Sequence, residues 1–582
     1  MKKKFLLLFI IFCNFNIFSQ QILDSKTCSW NYVLPGQLLC ESQETSTGFI
    51  TLDESRTLTF FSTTGKKKWE KNIDRGQNTY LKVLTNDFIL LINNDGKKLQ
   101  LLNPTGTELW TVFPEEPLSN SVLPGKDGRF FIKNKTSICC YGLNGIKKWI
   151  ISSLNLSDYE LIELNDGSII AFLNSSDNFT KALRLSPFGE ILEEISFSSL
   201  IVNISKYKNG LLVNFIDGTS GYVSVINNKL SNIWKIQRKD EKNNYSKDFF
   251  ISNEELDEIL YVSPEKNYLR IFLINPKNGN EINNFVIEDF NIPDFYQITN
   301  NGFLISDENH CIFSNFQGKT LFNGFYPYSK QKKYISKKLF TTDNYFILFG
   351  NDWNINSFKI NQTTKSKISK TNSSKINYNE FYNINPSLFE NYLMPEIDSE
   401  LTSSETLVKL KTGNYGVYEN KLIEKLLSGC TAYQSQLFTK NSRSFTESTV
   451  FDRDSSGLEK MISLLPLFGT DTFSDFISYL IKYETNRTIL NAALISITEN
   501  GYDPNGKILN NLYLLAKHTN TKDLTIASEI CDGVYSICRF MGKPAFNKQG
   551  KEIITTFIYP KFNVNIKDYA RETLKKISDL DL

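Results

Sequence analysis

The segment DRDSSGLE, residues 452–459, has residue types and a spacing that could bind calcium. Residues that can bind calcium occupy the first, third and fifth positions of the segment, and a glycine occupies the sixth, as in a calcium-binding loop. These residues are Asp452, Asp454, Ser456 and Gly457. The twelfth position is Ser463, where such a loop needs a bidentate glutamate. Ser456 and Glu459 instead form an S-x-x-E capping box, which predicts the start of a helix. We therefore assign no metal site to this segment.

The chain contains only two histidines, His310 and His518. A Ser-His-Asp triad or a histidine-based metal site would have to use one of them. His310 lies in the polar turn DENHC, and His518 lies near the end of a predicted helix, where the helix dipole favours positive charge. We interpret both as structural or solvated. The sequence thus indicates no catalytic, cofactor-binding or metal-binding residue.

The first residues, MKKKFLLLFIIFCNFNIFSQQ, have the pattern of a secretory signal peptide. Three lysines precede a short apolar run, and Ser19 is a small residue suited to cleavage. The run is far shorter than the ~20 residues that span a bilayer, so a retained transmembrane helix is the weaker interpretation. Cys13 is a poor lipidation site because the bulky Phe12 precedes it. We predict an exported protein, located in the periplasm, at the outer membrane or outside the cell.

Charge argues against nucleic acid as a partner. Removal of residues 1–19 takes three lysines from the 65 basic residues and leaves 62 against 63 acidic ones, a formal charge of −1. A nearly neutral protein has no global field that would collect nucleic acid.

The cysteines do not form the pattern of a disulfide scaffold or of a zinc site. Eight remain after cleavage, without a C-x-x-C pair: Cys28, Cys40, Cys139, Cys140, Cys311, Cys430, Cys531 and Cys538. The one candidate bridge joins Cys28 to Cys40. On a helix, Cys531 and Cys538 would be ~10 Å apart, too far to bond, so we predict that both are core residues.

A unit of about forty residues recurs along the first 360 residues. It is an apolar strand, a polar segment with a glycine, and often a tryptophan four residues later, as in FFSTTGKKKW (60–69) and LLNPTGTELW (101–110). The marker glycines, with Leu230 in one place, are Gly65, Gly106, Gly145, Gly189, Gly279 and Gly318. The tryptophans that follow are Trp69, Trp110, Trp149 and Trp234, while Glu193, Asn283 and Phe322 take that position elsewhere.

A second set of turn signals divides each unit. These are Asp95-Gly96, Asp127-Gly128, Asp166-Gly167, Asp217-Gly218 and Asn301-Gly302, dipeptides that supply the positive φ angles of tight hairpins. Two hairpins per unit give four strands, the content of one propeller blade. We predict a β-propeller of seven or eight blades, with the repeated aromatic residue between neighbouring blades. A weak eighth unit lies at 355–367.

Residues 30–365 resemble the PQQ-like β-propeller family, whose units end in a glycine followed four residues later by tryptophan. The resemblance rests on TLTFFSTTGKKKW, LQLLNPTGTELW and SICCYGLNGIKKW. It implies the fold but not the cofactor. Quinoprotein dehydrogenases of this type carry a vicinal disulfide, yet Cys139 and Cys140 stand on the strand before the repeat glycine and should point to opposite faces. We carry over no functional residue and predict no cofactor.

After residue 365 the sequence changes character. Residues 366–390 are rich in Asn, Ser and Lys and are predicted to be a linker. Beyond them the apolar period becomes that of helices, at 417–428, 456–466, 471–484, 486–499, 505–518, 522–541, 549–558 and 566–579. Paired helices with buried alanines resemble HEAT-type repeats; these would be Ala492, Ala493, Ala527 and Ala570.

The sequence therefore predicts a mixed, multidomain protein. It comprises a signal peptide (1–19), a PQQ-like propeller (20–365), a linker (366–390) and an all-α, HEAT-like domain (391–582). We expect a non-enzymatic scaffold that binds protein partners in the cell envelope. The alternatives are a PQQ-dependent oxidoreductase and a surface polysaccharide-binding protein, which would need clustered exposed aromatic residues.

Overall fold

The structure of the protein is a computed structural model. The structure describes residues 21–23, 27–73, 79–93, 95–119, 121–174, 179–227, 229–237, 247–254, 256–299, 302–308, 310–326, 335–340, 345–350, 353–360, 459, 462–467, 469–484 and 487–581. The predicted signal peptide, the linker, the first predicted helix and residues 452–458 of the calcium-like segment lie outside these ranges.

The described strands form seven four-stranded sheets and one five-stranded sheet, which are the blades of an eight-bladed β-propeller, and this confirms the predicted fold. Blade 1 comprises β3 (Gln43–Thr45), β4 (Gly48–Leu52), β5 (Thr57–Ser62) and β6 (Lys67–Asn72). Blade 2 comprises β7 (Tyr80–Val83), β8 (Ile89–Asn93), β9 (Lys98–Leu102) and β10 (Glu108–Val112). Blade 3 comprises β11 (Ser121–Pro124), β12 (Phe130–Lys133), β13 (Ile138–Tyr141) and β14 (Lys147–Ile151). Blade 4 comprises β15 (Ile162–Glu163), β16 (Ile169–Leu173), β17 (Lys181–Leu185) and β18 (Ile191–Ser196).

The remaining blades continue in chain order. Blade 5 comprises β19 (Ile201–Tyr207), β20 (Gly210–Phe215), β21 (Thr219–Ile226) and β22 (Lys229–Gln237). Blade 6 comprises β23 (Phe249–Asn253), β24 (Glu258–Pro264), β25 (Tyr268–Ile274) and β26 (Glu281–Glu288). Blade 7 comprises β27 (Phe295–Thr299), β28 (Gly302–Ser306), β29 (His310–Ser314) and β30 (Thr320–Phe325). Blade 8 contains β31 (Ile335–Phe340), β32 (Tyr345–Gly350) and β33 (Asn354–Lys359).

The N-terminal strands complete the last two blades. Strand β2 (Trp30–Val33) pairs antiparallel with β33 and is the fourth strand of blade 8. Strand β1 (Gln21–Ile22) pairs in parallel with β30 and adds a fifth strand to blade 7. The weak eighth unit predicted at 355–367 thus contributes the third strand of blade 8, while residues from the other end of the chain supply the fourth.

The repeat tryptophans join neighbouring blades. The rings of Trp30, Trp69, Trp110, Trp149 and Trp234 lie against the turn glycines of the next blade, which are Gly65, Gly106, Gly145, Gly189 and Gly279. Each indole N–H also donates a hydrogen bond of 2.7–3.1 Å to a carbonyl of that turn. These glycines have φ angles between +75° and +84°, so an alanine would be strained there even without the ring. One motif therefore makes both the turn and the contact between blades.

In the part of the C-terminal region that the structure describes there are six α-helices, and their positions agree with the last six helices predicted from the sequence. They are α1 (Asp471–Tyr483), α2 (Arg487–Asn500), α3 (Lys507–His518), α4 (Leu524–Met541), α5 (Pro544–Ile558) and α6 (Val564–Asp579). Helices α1, α3 and α5 pack in one layer, and α2, α4 and α6 pack in a second. No helix in the described part of the chain is long and apolar enough to span a membrane.

The chain divides into two compact units. The first comprises Met1–Lys68 with Phe197–Thr371, and the second comprises Trp69–Ser196 with Asn372–Leu582. The helical region and blades 2 and 3 thus belong to the same unit.

In this second unit, the helices and blades 2 and 3 share one hydrophobic core. Phe88 of blade 2 packs against Phe540 of α4 with ring centroids 5.3 Å apart. The Asn103 amide donates to the Arg539 carbonyl at 2.8 Å, and Asn144 of blade 3 donates to the Leu467 carbonyl at 2.6 Å. The helical region is therefore fixed to the propeller by apolar burial and by amides from the repeat turns.

Tyr502 lies at the centre of this contact. It is completely buried, and its hydroxyl donates to Asp471 Oδ1 at 2.9 Å and accepts from Asn86 Nδ2 at 3.4 Å. The amide of Asp471 donates to the Asp127 carbonyl at 3.0 Å. Burial raises the pKa of the Tyr502 phenol well above its usual value, so the hydroxyl keeps its proton and can donate.

Asp503, the next residue, is a buried carboxyl before α3. Its Oδ2 accepts from the Leu509 amide at 2.9 Å, and its Oδ1 accepts from the Ser474 hydroxyl at 3.4 Å. Burial raises its pKa from 3.8 to about 6, although hydrogen bonds from the first turn of α3 oppose that shift. The folded protein therefore holds this proton more tightly than the unfolded chain does.

We expect the stability of the protein relative to an Asp503→Asn variant to fall as pH rises from 4 to 7. A carboxyl with a raised pKa in the folded state stabilises the fold while it is protonated, and this contribution is lost through pH 6. A shift of about two pKa units corresponds to about 3 kcal/mol. Urea unfolding of both proteins at several pH values measures this difference, and parallel stability profiles would contradict the assignment.

Candidate functional site

The cysteines that could suggest redox chemistry lie in the core. Cys139 and Cys140 alternate along β13, and each belongs to a different hydrophobic cluster, as strand geometry predicts. Both are thiols in the structure. Cys531 and Cys538 are buried on α4, as predicted, and burial raises the pKa of Cys538 to about 12.

The predicted bridge between Cys28 and Cys40 is wrong. Both residues are thiols in the structure. The reason is packing: the Cys28 side chain lies against the hydrophobic cluster that contains Leu23 and Phe313, and Cys40 is not part of that cluster.

The strongest concentration of chemically capable side chains lies in the first unit, around the turn between β28 and β29. This group, called here the Asp307 cluster, comprises Asp294, Ser306, Asp307, His310, Tyr326 and Lys338. Of these residues only His310 stood out in the sequence, because the others are separated in the chain and form no motif.

The Asp307 carboxylate fixes two pieces of backbone. Its Oδ1 accepts from the His310 amide at 2.9 Å and lies 3.1 Å from His310 Nδ1. Its Oδ2 accepts from the Asn291 amide at 2.8 Å, in the connection between blades 6 and 7. Asp307 is fully buried, so these bonds form in a low-dielectric environment in which each is strengthened.

Lys338 of blade 8 extends this arrangement. Its Nζ donates to Asp294 Oδ1 at 2.6 Å and to the Asp307 carbonyl at 2.8 Å. The ammonium also lies 5.0 Å from the centre of the Tyr326 ring. One side chain therefore joins blade 8 to the connection that leads into blade 7.

The cluster is unsuited to nucleophilic catalysis. The His310 ring is buried between Phe290 and Phe325, with ring centroids 4.5 and 5.1 Å away. The neighbouring thiol of Cys311 is also buried, which raises its pKa far above the usual value and keeps it as the weakly reactive thiol. The Tyr326 phenol, whose pKa burial raises as well, is hydrogen-bonded to Ser306. The geometry indicates a structural role: the cluster fixes the turn between β28 and β29 and the connection between blades 6 and 7.

His518 lies at the C-terminus of α3, as the sequence predicts. Among the described residues, no three His, Cys, Asp or Glu side chains are grouped so that they could hold a metal ion.

The loops of each blade lie at two ends of its strands. The turns between strands one and two and between strands three and four lie at the first end. The turn between strands two and three and the connection to the next blade lie at the second end. The helical region contacts blades 2 and 3 at their first ends, through residues such as Asn103 and Asn144.

In the first unit, the second ends of the blades carry exposed apolar side chains. This set, called here the second-end apolar surface, comprises Val33, Leu39, Leu200, Ile216, Ile292 and Trp353. Ile292 lies in the connection that Asp307 and Lys338 hold. Groups of exposed apolar side chains are typical of surfaces that bind another macromolecule, whereas single ones are common on any protein.

Trp353 is the most unusual member. It is 45% exposed and has a φ of +67°, a left-handed conformation that is rare for a bulky residue. Its carbonyl accepts from the Leu34 amide at 2.9 Å, and its amide donates to the Gly350 carbonyl at 3.2 Å. The exposed Val33 precedes Leu34. The backbone thus holds an aromatic side chain in a strained and exposed position.

Leu200 and Ile216 form a second exposed pair at blade 5. The Ile216 amide donates to the Leu200 carbonyl at 3.0 Å, which fixes the two residues side by side. The buried Phe215 directly precedes Ile216, the buried Phe197 lies three residues before Leu200, and the centroids of these two rings are 6.2 Å apart. Leu200 and Ile216 are therefore held by chain segments whose neighbouring aromatic side chains are buried in the blade.

Two aromatic positions in the repeat were not recognised in the sequence. Trp30 packs on Gly65 but has no glycine four residues before it; its place 39 residues ahead of Trp69 was the available signal. Phe285, not Asn283, packs on Gly318; it stands two residues further along β26, on the same face of the strand as Asn283.

Comparison with known proteins finds no matching family model and no matching curated protein. Among solved structures, the chain is similar to BamB from Moraxella catarrhalis, with 11% identity, a TM-score of 0.40, and coverage of 57% of this chain and 99% of that one. It is similar to the computationally designed Ika8 protein, with 12% identity, a TM-score of 0.41, and coverage of 56% and 98%. It is also similar to Saccharomyces cerevisiae Sqt1, with 10% identity, a TM-score of 0.41, and coverage of 57% and 98%.

Proposed function

We propose that this protein is a non-catalytic scaffold that binds a protein partner through the second-end apolar surface. The observation that supports this most directly is Trp353, an exposed aromatic side chain held in a strained backbone conformation. Strain of this kind persists only where the surroundings impose it, and it is concentrated at functional sites. Tryptophan is also the residue type most enriched among binding hot spots.

Rigidity supports the same proposal. The Asp307 carboxylate and the Lys338 ammonium hold the connection that carries Ile292, and backbone hydrogen bonds hold Leu200 beside Ile216. Preordered loops lose little conformational entropy when they bind. The second-end apolar surface can therefore bind a partner of complementary shape at a low cost in conformational entropy.

The surface is mainly aliphatic, which favours a protein partner over a polysaccharide. Only Trp353 among its six members is aromatic. The other exposed large aromatic residues in the described part of the chain are Phe113, Tyr296 and Tyr559, which lie on separate elements. The alternative of a polysaccharide-binding protein would need such rings to be grouped.

We also propose that the protein is located outside the cytoplasm. It rests on the predicted signal peptide at 1–19 and on the expectation that the partner is an envelope protein. We further propose that the repeat is of the PQQ-like type, that the two-layered helices are HEAT-like, and that residues 20–365, 366–390 and 391–582 are propeller, linker and helical domain.

We expect a Trp353→Asp/Ile216→Asp variant to lose its partner. Each change puts a charge where an apolar side chain would be buried in the complex, and loss of one hot spot weakens binding at least about tenfold. The measurement is the amount of each envelope protein cross-linked to the tagged, full-length protein in the cells that make it.

The matched control is Ile226→Asp/Leu256→Asp, which changes two exposed residues at the first ends of blades 5 and 6. This control should retain the cross-linked partner. Recovery of the wild-type protein alone, or equal recovery of a partner by both variants, would contradict the proposal.

A further inference from the structure

The end of the helical region opposite the propeller contact has a surface that the scaffold proposal does not use. Because the helices alternate in direction, α1, α3 and α5 finish at this end and α2, α4 and α6 begin there. The other end carries Asp471, Tyr502 and Phe540, which contact the blades. We call the surface formed by the α3–α4 and α5–α6 loops and the adjoining helix ends the distal end.

Three large apolar side chains are exposed at the distal end. Tyr559 follows α5 and is 57% exposed, Val564 begins α6 and is 64% exposed, and Leu524 begins α4. The Asn563 amide donates to the Thr521 carbonyl at 3.3 Å, which joins the loop before Val564 to the loop before Leu524. The three side chains therefore belong to neighbouring loops.

Positive charge surrounds these side chains. Lys517, Lys522 and Lys561 are exposed, and Lys567 is half-buried on the first turns of α6. Lys561 Nζ lies 4.9 Å from the ring centre of Phe562, within the same loop as Tyr559.

Three described acidic side chains at this end contribute little negative charge to its surface. Asp523 is paired with Arg487 at 2.9 Å, and Asp568 is paired with Arg571 at 2.8 Å. Glu484, at the end of α1, is buried. The four lysines thus leave a net positive field over the distal end.

We propose that the distal end binds the surface of an anionic lipid bilayer. Exposed aliphatic side chains can enter the interfacial region, tyrosine prefers the level of the headgroups, and lysines interact with anionic lipid over a Debye length. Binding to a bilayer strengthens both with the apolar area that is buried and with electrostatic attraction to anionic lipid, and the distal end offers both. The apolar residues stand at helix ends on short loops, an arrangement suited to a flat surface.

The test uses the full mature chain and vesicles of defined composition. We expect at least about tenfold stronger sedimentation with phosphatidylcholine vesicles that contain 30% phosphatidylglycerol than with phosphatidylcholine alone, with the difference decreasing at high salt because exposed charges are screened. A Leu524→Ser/Tyr559→Ser/Val564→Ser variant and a Lys522→Glu/Lys561→Glu variant should each reduce binding at least about tenfold.

Two matched controls keep the number and type of changes similar. Ile495→Ser/Leu514→Ser removes exposed apolar side chains from the middle of α2 and α3, and Lys548→Glu/Lys575→Glu reverses exposed charges on parts of α5 and α6 away from the distal end. Both should bind vesicles like the wild type. Far-ultraviolet circular dichroism and thermal midpoints verify that all variants fold.

Equal binding to neutral and anionic vesicles, or equal loss in the variants and the controls, would overturn the proposal. Failure to bind vesicles together with saturable binding of an acidic peptide to the lysines would overturn it as well and would identify a protein ligand instead. The Trp353→Asp/Ile216→Asp variant should bind vesicles normally, so this result is independent of the scaffold proposal.

Discussion

Alanine at Gly65 is expected to destabilise the protein by about 3 kcal/mol, a sum of strain and overpacking. A Cβ at Gly65 would lie 2.7 Å from Cγ and 2.9 Å from Cε2 of Trp30, closer than carbon atoms approach without displacement. The φ of Gly65 is +82°, where an L-residue is itself strained. Chemical denaturation followed by intrinsic fluorescence measures the loss, and Trp30 should report it directly.

The matched control is Gly506→Ala. Gly506 has a φ of +68°, but a Cβ there would meet nothing within 4 Å. This variant isolates the backbone strain, expected to be about 1 kcal/mol. Equal destabilisation by the two variants would show that the Trp30 ring is not packed against Gly65.

Alanine at Tyr502 is expected to loosen the helical region from blades 2 and 3. The substitution leaves a cavity in the shared core and removes the hydroxyl that is bonded to Asp471 and Asn86. Large-to-small changes at such sites cost about 3–5 kcal/mol. Hydrogen exchange should then increase in α1 and in the turns of blades 2 and 3, and thermal unfolding should separate into two transitions.

Two comparisons test the reason for this effect. Tyr502→Phe keeps the ring but removes the buried hydroxyl that bonds the half-buried Asp471 carboxylate and Asn86 amide, and it should cost about 1–3 kcal/mol. Tyr513→Ala truncates a less buried tyrosine on α3 and should change stability less. If all three variants unfold in one unchanged transition, Tyr502 does not join the two parts.

The Asp307 cluster and the adjoining Cys311 illustrate why chemically capable residues need not indicate chemistry. A histidine, a thiol, a hydroxyl and a phenol lie close together, yet burial keeps Cys311 and Tyr326 protonated and aromatic rings cover His310. The same groups give Ile292 a rigid support. The electrostatic environment, and not the residue types, decides between a reactive site and a structural lock.

The repeat and most helix bounds could be predicted from the sequence because they depend on local interactions. A glycine at positive φ makes a turn wherever it stands, and alternation of apolar residues follows the strand beside it. The last six helices were found for the same reason, since each has its own apolar period and ends at local signals such as Gly501 and Gly542.

Tertiary structure alone decided where distant parts of the chain meet. Strand β2 joins β33 from the opposite end of the propeller sequence, and Asn103 meets Arg539, which is 436 residues away. The Asp307 cluster likewise gathers residues from blades 7 and 8 and from the connections on either side of blade 7. Such contacts arise from burial and complementary shape once the whole chain has folded, so no local spacing in the sequence predicts them. The exposure of Trp353 could not be predicted either, because it depends on the residues that pack around it in the folded protein.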